Sequence, residues 1–400
     1  MTAPILTFSK TFQDFVRSEK SGGLLLVACT ILSLTIANSV AGPGYAALWE
    51  QRLAGLSLEH WINDGLMAVF FLFIGLELER EFYNGELSEL RNAMLPIVAA
   101  LGGALVPAGI HFALNAGTPG QPGAGIPMAT DIAFALGVLA LLGPRVPMSL
   151  RIFLTALAVI DDLLAIVIIA IFYTGQFEVN WLLGALAVFS GLVLLNRRRV
   201  MLLWPYLLGG ALMWWLMLRS GVHPTLAGVM LAFAIPFSPL AEDESSPSHR
   251  LENALHRPIA FIVLPLFALA NTGLVIDAGW QAGLFDANGM GIILGLAVGK
   301  PLGIVVFSLI AIRLGLSRLA PDLDWRHVLG AGLLGGIGFT MAIFIANLAF
   351  PDSPETVEAS KMAILAGSLL AGLAGFAWLW AAGAKPVTPN ADPAENVTQQ

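Results

Sequence analysis

The 400-residue chain reads as an all-α polytopic membrane protein of about twelve transmembrane helices. Three observations carry that reading. The composition is 57% hydrophobic, only 12% of residues are charged, and the mean hydropathy is +0.80; soluble chains carry about 25% charged residues. Apolar runs of roughly the 20 residues needed to cross a bilayer recur along the chain. Lysine and arginine then fall overwhelmingly on one side of the layer those runs define.

The runs lie near residues 15–37, 59–82, 94–115, 123–142, 150–174, 180–196, 201–219, 222–237, 255–276, 290–312, 327–350 and 358–383. The seventh and eighth are short and separated only by "RSGVHP". With the N-terminus inside, sixteen basic residues face the cytoplasm and three, Arg52, Arg219 and Lys361, face out. A miscounted span in the middle would destroy that asymmetry, so both termini are expected in the cytoplasm. A cleaved signal at Gly22–Ala37, with "NSVAG" as its small-residue site, is the weaker reading because a long charged leader precedes it. One transmembrane domain is expected over residues 1–383. The polar, Pro-containing tail at 384–400 is expected to be disordered. The lone Cys29 excludes a disulfide framework or a thiolate metal site. No basic surface suggests a nucleic-acid partner.

Lys300 is the twentieth basic residue, and it belongs to neither loop set. It lies mid-span in "GIILGLAVGKPLGIVVF". Asp161 and Asp162 interrupt "LTALAVIDDLLAIVIIAIFY" about 15 Å from Arg151 at 1.5 Å per residue. Asp131 is central to "MATDIAFALG". One aspartate at a helix centre costs about 2.5–3.5 kcal/mol on insertion scales. The alternative reading is structural ion pairing, but a single pair would need one acid and one base, not three acids and one base. Aspartate side chains are also too short to snorkel to an interface. Intramembrane ionisable groups in such an arrangement mark an ion or proton pathway.

Adjacent helical residues diverge by about 100°, so one carboxylate can face Lys300 while the other faces an aqueous cavity. Burial and a neighbouring like charge both disfavour the ionised form. Such a carboxylate can exchange a proton for a hard cation, which oxygen ligands suit.

Two spans carry interruptions. Gly125 and Pro127 precede Thr130-Asp131 in the fourth, and Gly330, Gly332, Gly335, Gly336 and Gly338 precede Thr340 in the eleventh. The two spans run in opposite directions. Spans 3–5 and 10–12 therefore read as inverted-topology repeats with discontinuous middle helices, a pointer to a transporter's midplane site. Ordinary glycine-mediated packing is the blander alternative. Broken helices expose charged ends; Asp131 could offset positive ends and Lys300 negative ones.

Six segments, "ATDIAFALGVLALLG", "AVIDDLLAI", "GVHPTLAGV", "LPLFALANTG", "GKPLG" and "GIGFTMAIFIANLAF", together resemble the NhaA family of sodium/proton antiporters, in order over roughly residues 20–380. That family itself exemplifies inverted repeats, so the repeat reading is not independent of the resemblance. The resemblance implies electrogenic exchange of Na⁺ or Li⁺ for H⁺ in the bacterial inner membrane, with no cofactor and no enzymatic activity. It implies Asp161 and Asp162 as carriers, Asp162 as principal Na⁺ ligand, Lys300 paired with Asp161, and Asp131 with Thr130 at a helix crossing. It further implies activation as cytoplasmic pH rises, through Glu77, Arg80 and Glu81 of "GLELERE" with Glu252 and His256 of "RLENALHRP". Two departures stand against it: Asn253 occupies a position where some relatives have a second His, and Glu79 one where a base is often found. His223 matches a family histidine. A homodimer is implied through an outward hairpin, here the shorter Gly42–Glu59, where "RLAGLSLE" could form a small strand.

Two other functions are less consistent with the sequence. A sodium-coupled symporter would need more polar groups at midplane than Asn271 and Thr272 of "ALANTG". An intramembrane aspartyl protease would need a Gly-x-Gly-Asp context, which is missing, and has no use for adjacent aspartates or a buried lysine.

Overall fold

The computed structural model describes residues 10–174, 178–238, 246–276 and 279–382. The expected tail at 384–400 lies outside these residues. Among them the chain is almost wholly helical, as bilayer-spanning backbone must be when no water is present to satisfy its polar groups.

In chain order the helices are α1 (Lys10–Ala37), α2 (Gly42–Glu50), α3 (Leu58–Asn84), α4 (Leu90–Asn115), a 3₁₀ segment (Gln121–Met128), α5 (Ile132–Leu141), α6 (Met148–Phe172) and α7 (Val179–Arg197). There follow α8 (Leu203–Ser220), α9 (Leu226–Ala234), α10 (Pro247–Asn271), α11 (Trp280–Phe285), α12 (Ala287–Arg313), α13 (Trp325–Gly335), α14 (Phe339–Ala349) and α15 (Pro354–Ala382). Eight described segments are long and apolar enough to cross a membrane, and ten if two bent pairs each count once. Those pairs are α1–α2, bent by 114°, and α13–α14, bent by 46°. Where the seventh and eighth spans are expected, α8 and α9 are helical. At nine residues, α9 is only about 13.5 Å long.

Between α2 and α3 a two-residue antiparallel ladder pairs Arg52 with Ser57 and Leu53 with Leu56. Its turn residues Ala54 and Gly55 have φ of +51° and +90°, the left-handed pair that matches strand twist in a two-residue hairpin.

Three helices contain π-turns: Trp61–Leu66 in α3, Ile259–Val263 in α10 and Gly295–Gly299 in α12. The last ends immediately before Lys300. A π-turn re-aims the residues that follow it and commonly accompanies a functional site.

The most extensive helix pairing among the described residues is α4 against α12, which small residues bring together. A Cβ on Gly303 would sit 2.1 Å from the Gly102 carbonyl oxygen, and one on Gly102 would sit 2.3 Å from that of Gly303. Gly299, one turn earlier, would meet Pro107 Cα at 3.0 Å. Gly303→Val is therefore expected to destabilise the fold by at least the ~1–3 kcal/mol of ordinary overpacking, because backbone cannot rotate away. A lowered thermal unfolding midpoint in detergent checks this; an unchanged midpoint would contradict the packing.

Candidate functional site

The 3₁₀ segment ends at Met128 and α5 begins at Ile132, leaving Ala129–Asp131 extended. Likewise α13 ends at Gly335 and α14 begins at Phe339. The two breaks cross. Asp131 N–H donates to the Ile337 carbonyl at 2.7 Å, and the Thr130 hydroxyl donates to the Gly335 carbonyl at 2.7 Å.

One carboxylate serves both resuming helices. Asp131 Oδ1 accepts from Phe134 N–H at 3.1 Å, capping α5. Its Oδ2 accepts from Thr340 N–H at 3.0 Å and from the Thr340 hydroxyl, in the first turn of α14. Ser368 Oγ accepts from Gly338 and Phe339 N–H, each at 3.2 Å. Helix N-termini carry partial positive charge and unpaired donors, so an acid held by two of them is fixed in place and its lone pairs are committed.

Lys300 does the converse. Its Nζ donates to the Met128 carbonyl at the C-terminal end of the 3₁₀ segment, where partial negative charge collects. It also meets Asp161 Oδ2 at 2.5 Å. Both side chains of this pair are sealed from solvent, where each charge depends on the other.

Asp162 differs from both other acids. It is fully buried, and among the described residues neither of its carboxylate oxygens has a hydrogen-bond partner. Asp161 Oδ1 is similarly unpaired. The three acids thus form a gradient: Asp131 saturated, Asp161 half committed to Lys300, Asp162 uncommitted. A buried carboxylate without donors is expensive unless it holds a proton or a cation. Among the described residues no three His, Cys, Asp or Glu side chains assemble as a metal site. A cation at Asp162 would draw its other oxygens from Asp161, hydroxyls, carbonyls or water, a donor set suited to a hard ion.

At the C-terminal end of α3 the expected charge cluster is assembled around the Arg80 guanidinium. Arg80 lies 3.6 Å from Glu77, 3.2 Å from Glu81 and 3.3 Å from Glu252 of α10. His256 packs its ring against Phe73, with centroids 5.8 Å apart. Glu79 is also buried and accepts from Ser248 Oγ at 3.3 Å, so this departure from the family pattern adds an acid beside the cluster. A cavity of about 50 Å³, with Glu77, His256, Phe73, Ile132 and Ala133 in its wall, reaches from the cluster to the start of α5, one residue beyond Asp131. His223 bonds the Thr225 hydroxyl at 2.8 Å and approaches Asp64 at 3.7 Å, at the opposite end of α3 from the charge cluster.

Residues 13–379 match the family model described as Na+/H+ antiporter 1. The chain belongs to that family. It is 66% identical over 372 residues to the Na(+)/H(+) antiporter NhaA of Dechloromonas aromatica, covering 93% of this chain and 96% of that one. It is 57% identical to Na(+)/H(+) antiporter NhaA 1 of Flavobacterium johnsoniae, over 94% and 97% of the two chains. The Na(+)/H(+) antiporter NhaA of Vibrio campbellii is 49% identical over 92% of this chain and 94% of its own. Family membership makes the chain a secondary transporter and not an enzyme.

Sequence reasoning named Asp131, Asp161, Asp162 and Lys300 from their cost in a bilayer. It missed the Met128 carbonyl, since a backbone acceptor has no sequence signature. The Gly-rich and Pro-marked halves ahead of Thr130 and Thr340, with the family resemblance, were the hints of the crossing.

Proposed function

We propose that this protein extrudes Na⁺, and Li⁺ by the same chemistry, in exchange for H⁺ across the bacterial inner membrane by alternating access. The observation that carries the proposal is Asp162, a fully buried carboxylate with both oxygens unpaired among the described residues, next to an Asp161 already held by Lys300. With the site facing inward, Na⁺ displaces protons from Asp162 and from the Asp161–Lys300 pair. The loaded site reorients, protons displace Na⁺ outside, and the protonated site returns. If two protons replace one Na⁺, each cycle moves one net positive charge inward, and membrane potential drives extrusion.

Twelve spans with cytoplasmic termini are part of this reading. The ten spans counted by length and hydropathy become twelve when α8 traverses and residues 222–237, helical over α9, make the eighth crossing. The opposed α5 and α14, meeting at Asp131, favour the inverted-repeat reading of spans 3–5 and 10–12 with discontinuous fourth and eleventh members. The small hairpin at residues 52–57 supports a homodimer contact on the outer face, by analogy with relatives that dimerise through this segment.

The test uses everted membrane vesicles with a preformed acidic interior and a quenched pH dye. Na⁺ is expected to dequench the dye and choline is not. Absence of Na⁺-dependent dequenching at every pH, in verified inserted protein, would overturn the assignment.

Regulation by pH is assigned to Glu77, Arg80, Glu81, Glu252 and His256. Arg80→Ala removes the one guanidinium that the three carboxylates share. Ionising them together then requires a higher pH, because Arg80 no longer offsets their mutual repulsion. The activity profile of Arg80→Ala is therefore expected to move to alkaline pH in the same vesicle assay. An unmoved profile would remove the cluster from the regulatory role.

A further inference from the structure

Asn271, singled out in "ALANTG" and unused by the exchange site, is the hub of a second polar network. Its Oδ1 accepts from Asn347 Nδ2 at 2.8 Å, Lys361 Nζ at 3.2 Å and Asn63 Nδ2 at 3.4 Å. Its Nδ2 donates to Asn63 Oδ1 at 2.7 Å and to the Phe267 carbonyl at 3.1 Å. Lys361, expected in an outer loop from the sequence, is 6% exposed, with Glu59 4.0 Å away.

These four residues come from four helices: α3, α10, α14 and α15. In the topology given by the basic residues, all four lie at the outer ends of their spans. The residues of α14 place the network relative to the exchange site. Thr340 bonds Asp131; Phe344, four residues on, lies 5.5 Å from the Phe71 ring and 5.5 Å from the His223 ring; Asn347 bonds Asn271. Positions i, i+4 and i+7 share one helix face. At 1.5 Å per residue, an aromatic layer lies about 6 Å, and the amide layer about 10 Å, outward of Thr340.

The inner end is tied differently. There Arg80 and Glu252 join α3 to α10, both outside the inverted repeats, and the cavity separates these helices from α5 of a repeat. At the outer end Asn63 and Asn271, outside the repeats, are joined to Asn347 and Lys361 within them. Along this seam a cavity lies at the inner end and a hydrogen-bonded network at the outer end.

We propose that Asn63, Asn271, Asn347 and Lys361 form the outer gate of the transport path, a polar latch that breaks whenever Asp162 faces outward. This rests on the exchange reading above. The Asn271 amide is saturated while the latch is closed. Opening withdraws the Asn347 and Lys361 donors, and water must replace them, which couples breaking the latch to wetting the outer path. The Lys361 ammonium, a tethered cation, also repels Na⁺ from the closed seam.

The test is made in a Cys29→Ser background. In Asn347→Ala, and separately Lys361→Met, the KM for Na⁺ is measured from the inner face in everted vesicles and from the outer face in right-side-out vesicles. Losing one latch bond favours the outward state, so the inner KM is expected to rise and the outer KM to fall, their ratio changing about fivefold. Unchanged values at both faces, or a change in the same direction at both, would overturn the latch. Independently, Asn271→Cys with Asn347→Cys, bridged by a short reversible bis-thiosulfonate, is expected to stop exchange until reductant is added. Exchange at the unbridged rate would also overturn it. If the unmutated protein itself showed no exchange, the functional reading would fall instead.

Discussion

Asp162→Asn abolishes Na⁺-dependent proton movement while leaving insertion and folding intact. The amide neither titrates nor carries charge, so it can hold neither of the two competing ions. The side chain has no hydrogen-bond partner among the described residues, and the substitution therefore breaks no bond. It replaces a buried carboxylate that burial disfavours with a neutral group of nearly the same shape. The thermal midpoint of the variant is expected to equal or exceed that of the native chain, the usual trade between stability and a functional buried charge. Measuring dequenching and the unfolding midpoint on the same preparation separates the two effects. Normal exchange by Asp162→Asn, or loss of exchange accompanied by loss of folded protein, would sink the assignment.

Lys300→Ala has the largest expected effect on stability. Removing one member of a buried pair strands the other, at a cost of about 3–5 kcal/mol. Here two acceptors are stranded together, Asp161 Oδ2 and the Met128 carbonyl. The variant should melt well below the native protein. Adding Asp161→Asn should restore part of the loss, because the second substitution removes the uncompensated charge; the difference measures the coupling. A Lys300→Ala protein that melts like the native chain, with an unchanged pH profile, would contradict the pairing.

The sequence made the chemistry legible where membrane physics makes it costly. Asp131, Asp161, Asp162 and Lys300 stood out because an apolar run has no reason to contain them. The interrupted helices showed as glycine and proline ahead of Thr130 and Thr340. Arrangements built on pairings across long sequence separations were not legible. Asn271 was visible as a polar residue, but Asn63 and Asn347 lie 208 and 76 residues away, and nothing local marks either as its partner. Lys361 was counted with the outer loop because charge near a span end ordinarily is solvated; a buried amide acceptor holds it instead. The length of α9 was equally hidden, since "GVHPTLAG" and "IPFSP" end a helix that hydropathy alone would extend.

The most direct test of competition between Na⁺ and protons at Asp162 is calorimetry. Na⁺ is titrated into the purified protein in two buffers of different ionisation enthalpy, which counts the protons released per Na⁺ bound. Release of one to two protons is expected, with the apparent affinity for Na⁺ falling about tenfold per pH unit for each proton displaced as pH drops, by linkage. Asp162→Asn should bind no Na⁺ and release none. Na⁺ binding to the native protein without proton release, or release undiminished in the variant, would contradict exchange at this carboxylate.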